Sequence, residues 1–337
     1  MKKRSFSRVL FKASGSSEKG FGHIRRSFAL ASEMSGEIGC KNVFFACNIP
    51  RHKVRRILKG CGRFIMSKND SKITRFIREN NIGLVVLDEP VPNKNFVKAV
   101  KKSEASGIVA LDYFDYKNTR PDKIINLFDH NRKSADRKKD LSGAYYEGLE
   151  YSIVRRDFFP FIKSAKKINP EALNILISFG GADPGGNTLK ALDILEKAEF
   201  KGRADVVIGP LFKRKEGIRK AIEKRRYRCL LHKNLKGIEK LMFNADLGIV
   251  GGGTTMMEMC SVGTPVVVIP QNKREMAFAL IFENKKAVKV LKKSENAKAL
   301  VGNIIKNKSV RKTLSKNAKR VIDGKGIKRI TDILLKG

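Results

Sequence analysis

The chain has 337 residues, enough for two domains at roughly 150 residues each. Apolar residues at 42% and charged residues at 31% exclude a disordered chain, and 28 Gly with 10 Pro exclude a collagen-like or low-complexity one. Lys and Arg total 71 against 33 acidic residues, a net charge of +38 that attracts polyanions, anionic membranes or phosphorylated small molecules without choosing among them.

Short β-branched and apolar runs alternate with longer amphipathic stretches. Strands are predicted at Arg8–Ala13, Asn42–Asn48, Ile82–Asp88, Gly107–Asp112 and Lys123–Phe128. A second set is predicted at Asn174–Gly180, Ala204–Gly209, Tyr227–His232, Leu247–Val250, Pro265–Pro270 and Ala287–Leu291. Near-continuous apolar runs such as Leu84-Val85-Val86-Leu87 and Val266-Val267-Val268-Ile269 suit strands buried on both faces of a parallel sheet. Helical patterns lie between them, for example Ile24–Glu37 and Asn187–Lys197, and strand-then-helix repetition is the signature of α/β units. A break near Phe159–Pro170 separates the two sets. The expectation is two Rossmann-like domains, 1–165 and 170–337, facing each other across a cleft, with the last helices (Ser309–Asp323 and Ile327–Lys336) packing back towards the first domain.

Three glycine-rich turns follow predicted strands. The first runs Ser14–His23 and contains Gly20 and Gly22, whose backbone amides can approach an anion at the start of a helix. A dinucleotide fingerprint counted from Gly20 would need glycine where Arg25 stands, so that signal is weak. His23, at the strand-to-helix junction, would project over the carboxyl edge of the sheet, where a neutral imidazole can take a proton from water. Taken alone, one Gly-His pair is better explained by turn capping, and Arg25 and Arg26 fit either phosphate contact or a solvated helix face. The second turn, Ser178–Asn187 with Gly180 and Gly181, can hold a diphosphate on its amides or be a tight loop shaped by Asp183 with Asn187 as N-cap. The third, Val250–Thr255, offers Gly252 and Gly253 for close approach and the Thr254 and Thr255 hydroxyls as donors. Glu258 lies one turn further on the same side, placed either for ribose hydroxyls or as a capping acid.

At these residues the chain resembles the UDP-sugar hydrolase family of pseudaminic acid biosynthesis. The likeness runs through Arg8–Phe11 and Gly20-Phe21-Gly22-His23-Ile24-Arg25-Arg26, then Gly148–Phe158 with its Gly-x-x-Tyr-x-x-x-Arg-x-x-Phe spacing. It resumes at Phe179–Pro184 and from Asp246 through Glu258 to Pro265. The resemblance implies an α/β chain of GT-B fold and His23 as catalytic base. It implies the loops at Gly180–Gly181 and Gly251–Thr255 as holders of a nucleotide diphosphate, with Glu258 on the ribose. It implies a UDP-sugar substrate, with no metal or cofactor. Arg26, Asp88, Asn272 and Arg274 are candidates for the sugar side. Two departures touch that side. Family members carry an aromatic residue after the Asp that ends the third predicted strand, where this chain has Glu89-Pro90. They also carry an Asn-Gln pair where Arg274-Glu275 stands, or, with a shift of two, Asn272.

Five scattered cysteines, never spaced C-x-x-C, read as reduced thiols in a cytosol, and with only four histidines a structural zinc site is not expected. Val9-Leu10-Phe11 is too short for a signal segment and no apolar run reaches the roughly 20 residues of a membrane helix, so the expected location is cytoplasmic. Basic clusters at Arg51–Arg56, Arg132–Lys139, Lys213–Lys220, Lys224–Arg228 and in the last helices suggest a solvated lysine-rich surface that raises the potential of the cleft. Peripheral membrane contact stays open because many glycosyltransferases of this fold work on lipid-linked acceptors; no motif for specific nucleic-acid binding is present, and oligomeric state is unspecified. The leading expectation is an inverting UDP-sugar hydrolase. Its alternatives are a glycosyltransferase of the same fold and a non-catalytic sugar-nucleotide or polyanion-binding protein.

Overall fold

The computed structural model describes residues 7–14, 22–49, 63–89, 93–103, 107–112, 121–127, 144–209, 212, 215–233 and 235–335. The chain divides into two units, Met1–Ile153 with Lys325–Gly337, and Val154–Gly324.

The first unit begins with β1 (Val9–Ala13), α1 (Gly22–Ile38), β2 (Val43–Cys47), β3 (Arg63–Met66) and α2 (Asp70–Glu79). It continues with β4 (Leu84–Asp88), α3 (Lys94–Lys102), β5 (Gly107–Leu111), β6 (Lys123–Asn126) and β7 (Ala144–Glu147). All of its strands are parallel, in the order β3-β2-β1-β4-β5-β6-β7. The chain runs outward from β1 to β3 and returns to β4 on the other side of β1. The strand order therefore reverses between β1 and β4, the place where open α/β sheets bind ligands. Alternation along β1 sends Val9, Phe11 and Ala13 into one core and Leu10 into the core on the opposite face. Burial of each large side chain in these cores contributes roughly 1.5–3 kcal/mol.

The second unit contains α4 (Phe159–Lys163), β8 (Asn174–Ser178), α5 (Asn187–Lys197), β9 (Arg203–Ile208), α6 (Lys215–Glu223), β10 (Arg228–Lys233) and α7 (Ile238–Asn244). These are followed by β11 (Leu247–Val250), α8 (Thr254–Ser261), β12 (Val266–Val268), α9 (Lys273–Asn284), β13 (Lys289–Val290), α10 (Ala297–Lys306) and α11 (Lys308–Val321). Its sheet is also parallel, in the order β10-β9-β8-β11-β12-β13. Asparagine side chains start α9, α10 and α11: Asn272, Asn296 and Asn307 each accept an N–H from the first turn.

The two-sheet α/β organisation expected from the sequence is present. Two strands escaped the apolar pattern, β3 and β7, both at the edges of the first sheet and only partly buried. The division falls at Ile153/Val154, earlier than the expected break at 165–170, because the connecting segment is tied to the second unit. Lys166 Nζ donates to the carbonyls of Phe243 and, at 2.6 Å, Ala245, while Phe161 packs on Phe243 at 5.2 Å. The wholly buried Arg311 donates to the carbonyls of Asn169 at 2.7 Å and Pro170 at 2.9 Å, and also to those of Ile304 and Ile305.

Of the last helices only α12 (Gly326–Leu335) joins the first unit, where Ile327, Ile330 and Leu334 share a core with Val9, Phe11 and α1. α11 stays in the second unit against α8 and α10, contrary to the expectation for Ser309–Asp323. Cysteine usage also differs from expectation. Cys40 is disulfide-bonded, whereas Cys47, Cys229 and Cys260 are free thiols. Among the described residues no helix is long and apolar enough to cross a membrane.

Candidate active site

β1 and β4 lie side by side with Ala13 opposite Asp88, so the last residue of β4 reaches the carboxyl edge of the sheet beside the start of α1. Helical spacing puts His23, Arg26 and Ser27 on one side of α1, facing Asp88. His23 Nδ1 lies 2.7 Å from Asp88 Oδ1. Arg26 Nε donates to Asp88 Oδ2 at 2.8 Å, its Nη2 donates to Oδ1, and Ser27 Oγ donates to Oδ2 at 2.6 Å. Arg26 also reaches the residue after β5, donating from Nη1 to Asp112 Oδ2 at 3.0 Å.

Asp88 is 0% exposed. Burial pushes its carboxyl up, but the Arg26 guanidinium and then His23 outweigh that and hold it well below the usual carboxylate range. Burial works against the charge of Arg26 in turn, and Asp88 and Asp112 more than restore it. A carboxylate that carries no proton can share a 2.7 Å contact with Nδ1 only if the ring nitrogen donates. That assigns the proton to Nδ1, so the approach of Arg26 Nη2 to Nδ1 at 2.9 Å is a contact between two donors that share Oδ1. Nε2 is then the basic nitrogen, and it has no partner among the described residues. His23 itself is partly exposed, at 18% of its side chain.

Two residues expected on the sugar side have other occupations. Asp88 is beneath His23 with both oxygens engaged, and Arg26 is an internal bridge between Asp88 and Asp112. On the opposite face of the same sheet edge, a polar pocket of about 390 Å³ is lined by Lys12, Ser67, Asp70, Glu89 and Asn93 among others. Lys12, the one charged residue in β1, lies 2.6 Å from Glu89 and 3.3 Å from Asp70 with its ammonium 4.6 Å from the Phe96 ring centre. The consecutive residues Asp88 and Glu89 thus serve opposite faces of the sheet. The break in the apolar run of β1 was the only sequence sign of Lys12.

In the second unit the glycine-rich turns differ in what already occupies them. Gly180 has φ +73°, and a side chain at Gly209 would meet the Gly181 backbone at 2.5 Å, so this turn is a close backbone crossing. Asp183 accepts the N–H groups of Asn187 and Thr188, each at 2.8 Å, and so occupies the start of α5 with a carboxylate. At the third turn, Glu275 Oε2 accepts from Gly252 N and from Gln271 N, both at 2.9 Å. The start of α8, preceded by Gly253 and formed by Thr254 and Thr255, has no side-chain cap. The first N–H groups of a helix lack intrahelical partners, so this terminus is open to an anion.

Glu258, one turn along α8, receives Arg155 Nε on Oε1 at 2.8 Å, and Oε2 has no partner among the described residues. Arg155 is further held by Asp157 at 3.3 Å and by stacking over the buried Phe158 at 5.0 Å. Burial opposes the charge of Arg155, but Glu258 raises its basicity above the ordinary value. Arg155 was visible in the sequence only as part of the Gly148–Phe158 segment. Asn272 spends its side chain capping α9 at 2.9 Å from Glu275 N, and Arg274 is exposed on the first turn of that helix; Glu275, next in sequence, is the side chain that reaches the glycine loop. Gly22 opens α1, whereas Gly20 lies outside the described residues, as do the clusters Arg51–Arg56 and Arg132–Lys139. Among the described residues no group of three or more His, Cys, Asp or Glu side chains could hold a metal ion.

No protein-family model matches the chain. It is 27% identical to an uncharacterised protein of Methanocaldococcus jannaschii over 77% of this chain and 54% of that one, so it spans about half the length of that relative. It is 25% identical to the spore coat polysaccharide biosynthesis protein SpsG of Bacillus subtilis over 96% of each chain. Identity is 23% to the UDP-2,4-diacetamido-2,4,6-trideoxy-beta-L-altropyranose hydrolase of Campylobacter jejuni, over 74% of this chain and 87% of the relative. Among solved structures, Acinetobacter baumannii MurG superposes with a TM-score of 0.69 at 13% identity, covering 98% of this chain and 100% of that one. The UDP-GlcNAc 2-epimerase of Neisseria meningitidis, bound to UDP-GlcNAc, gives 0.62 at 15% identity with 98% and 100% covered. The chain has the GT-B fold, with two Rossmann-like domains.

Proposed function

We propose that the chain is a UDP-sugar enzyme of the GT-B fold and, more specifically, an inverting hydrolase that releases UDP and a free amino-deoxy sugar for nonulosonic acid synthesis. The observation that carries the proposal is the His23–Asp88 pair, in which a buried carboxylate holds the Nδ1 proton and leaves Nε2 as a base at the ligand-binding edge of the sheet. The names of the relatives support the substrate class: one is a UDP-sugar hydrolase, another belongs to polysaccharide biosynthesis, and one structural neighbour binds UDP-GlcNAc.

In this reading Nε2 of His23 takes a proton from a water that attacks the anomeric carbon on the side away from the diphosphate. The bond from that carbon to the diphosphate oxygen breaks, its electron pair leaves with UDP, and the configuration inverts. Asp88 stabilises the imidazolium until the proton passes to solvent. A nucleoside diphosphate leaves readily without the strong general acid that ordinary glycosides require. The uncapped start of α8 at Gly253–Thr255 meets the charge growing on the diphosphate with N–H dipoles and threonine hydroxyls. Glu258 Oε2 accepts from the ribose hydroxyls while Arg155 fixes the carboxylate. The turn at Gly180–Gly181 takes a lesser part in holding the diphosphate, because Asp183 repels anions from α5.

The test is UDP release from candidate UDP-sugars with no acceptor present. Release that disappears in His23→Ala is the expected result. Turnover that begins only when an acceptor hydroxyl is supplied would make the chain a glycosyltransferase, and tight UDP binding without turnover in either case would make it a binding protein.

A further inference from the structure

The proposed activity leaves the large positive charge of the chain unused, and in the second unit part of that charge is organised. α11 buries Arg311, Leu314, Ser315 and Ala318 and exposes Lys308, Lys312, Lys316 and Arg320. At four-residue intervals these cations form one ridge, about 18 Å long at roughly 1.5 Å per residue. None of the four has an ionic partner among the described residues. The ridge is widened on both flanks. Residues 317 and 319 lie about 100° to either side of the buried Ala318. Asn317 Nδ2 donates to Lys286 O at 3.1 Å and Lys319 Nζ donates to Ser164 O at 2.8 Å. These bonds bring exposed Lys285 and Lys286 to one flank and exposed Lys163 and Lys167 to the other.

We infer that this face of α11 is an electrostatic docking surface for an anionic lipid bilayer. The charges are spread in two dimensions over a helix packed flat on its own domain, which matches a plane of headgroups better than a single strand in a groove. No aromatic side chain stands between Lys308 and Arg320, so the stacking platform that single-stranded nucleic acids use is absent from the ridge. No large apolar side chain is exposed there either, so attachment is by charge alone, reversible and screened by salt. Four to eight clustered basic residues suffice for such binding, each contributing about a fivefold gain in partitioning near an anionic leaflet.

The experiment is co-sedimentation of the full chain with phosphatidylcholine vesicles containing roughly one third phosphatidylglycerol, as salt is raised from about 0.05 M to about 0.5 M. Binding at low salt, its loss at high salt and no binding to pure phosphatidylcholine are expected. The quadruple variant Lys308→Gln, Lys312→Gln, Lys316→Gln, Arg320→Gln should lose roughly six hundredfold in partitioning. Its circular dichroism melting curve should be unchanged, because all four side chains are exposed. A control of equal charge, Lys94→Gln, Lys98→Gln, Lys101→Gln, Lys102→Gln on α3, should lose far less. Equal losses in the two variants would overturn the assignment to α11. Binding to neutral vesicles would overturn it too, and so would a single-stranded RNA oligomer that binds more tightly than the vesicles and depends on the same four residues.

Discussion

Asp88, at the end of β4, accepts the Nδ1 proton of His23 from across the sheet edge at 2.7 Å, although 65 positions separate the two in the chain. Arg26 grips the same carboxylate through two nitrogens, so the acid is held in place as well as held ionised. Asp88→Asn keeps the size of the side chain but offers the ring an amide that can satisfy either tautomer. Turnover in UDP release is expected to fall on the order of a hundredfold to ten-thousandfold, while UDP affinity stays near that of the unmodified chain.

The same carboxylate sets an acid limit on stability. Its folded pKa lies below the unfolded one, so its contribution is complete above about pH 4 and is lost as pH falls from there towards the depressed folded value. Melting temperature measured below about pH 4 should therefore drop steeply in the unmodified chain. The curve for Asp88→Asn, already less stable at neutral pH, should drop less steeply over the same interval.

Arg155 fixes Glu258, which separates nucleoside recognition from phosphate recognition. Calorimetry should find UDP binding weakened by about tenfold in Glu258→Ala and by a smaller factor in Arg155→Met, with inorganic diphosphate hardly affected by the former. Equal losses for both ligands in Glu258→Ala would remove Glu258 from the ribose.

Glu275 places a negative charge against Gly252, one residue before the glycine that precedes α8. Its charge opposes a diphosphate at Gly253–Thr255, and its oxygens hold the loop. Glu275→Gln keeps an acceptor for those N–H groups and removes the charge, so UDP is expected to bind about threefold to tenfold more tightly at low salt. Weaker binding would mean that holding the loop outweighs the repulsion.

Lys166 ties the connecting segment to the end of α7. Burial pulls its ammonium down to about 8, with Asp246 acting the other way. Between about pH 8 and the unfolded value near 10.4 the unfolded chain binds more protons, so this residue makes stability rise with pH. The stability difference between the unmodified chain and Lys166→Met should accordingly grow in favour of the unmodified chain over that interval, as read by urea unfolding.

Much of the architecture was legible because a buried parallel strand writes itself as a short apolar run: Leu247–Val250 was read with its observed bounds, and β4 (Leu84–Asp88) lies within the expected Ile82–Asp88. Edge strands β3 and β7 were not, since one partner and partial exposure relax the demand for apolar residues. The glycine-rich turns were visible as composition. Of their occupants, Asp183 was legible because it sits within five residues of the amides it caps, whereas Glu275 was not, because it comes from 23 residues beyond Gly252.

Local sequence, through side-chain periodicity and the special backbone freedom of glycine, determined the alternation of strand and helix and set His23 in the first turn of α1. Which carboxylate would orient that imidazole, and which helix start would stay open, depended on side chains far apart in the chain. Only the closing of the sheets brought Asp88 under His23, Glu275 to Gly252 and Arg155 to Glu258. Pairing at 3 Å is a property of where strands end in space, and no repeating pattern along one stretch of chain encodes it.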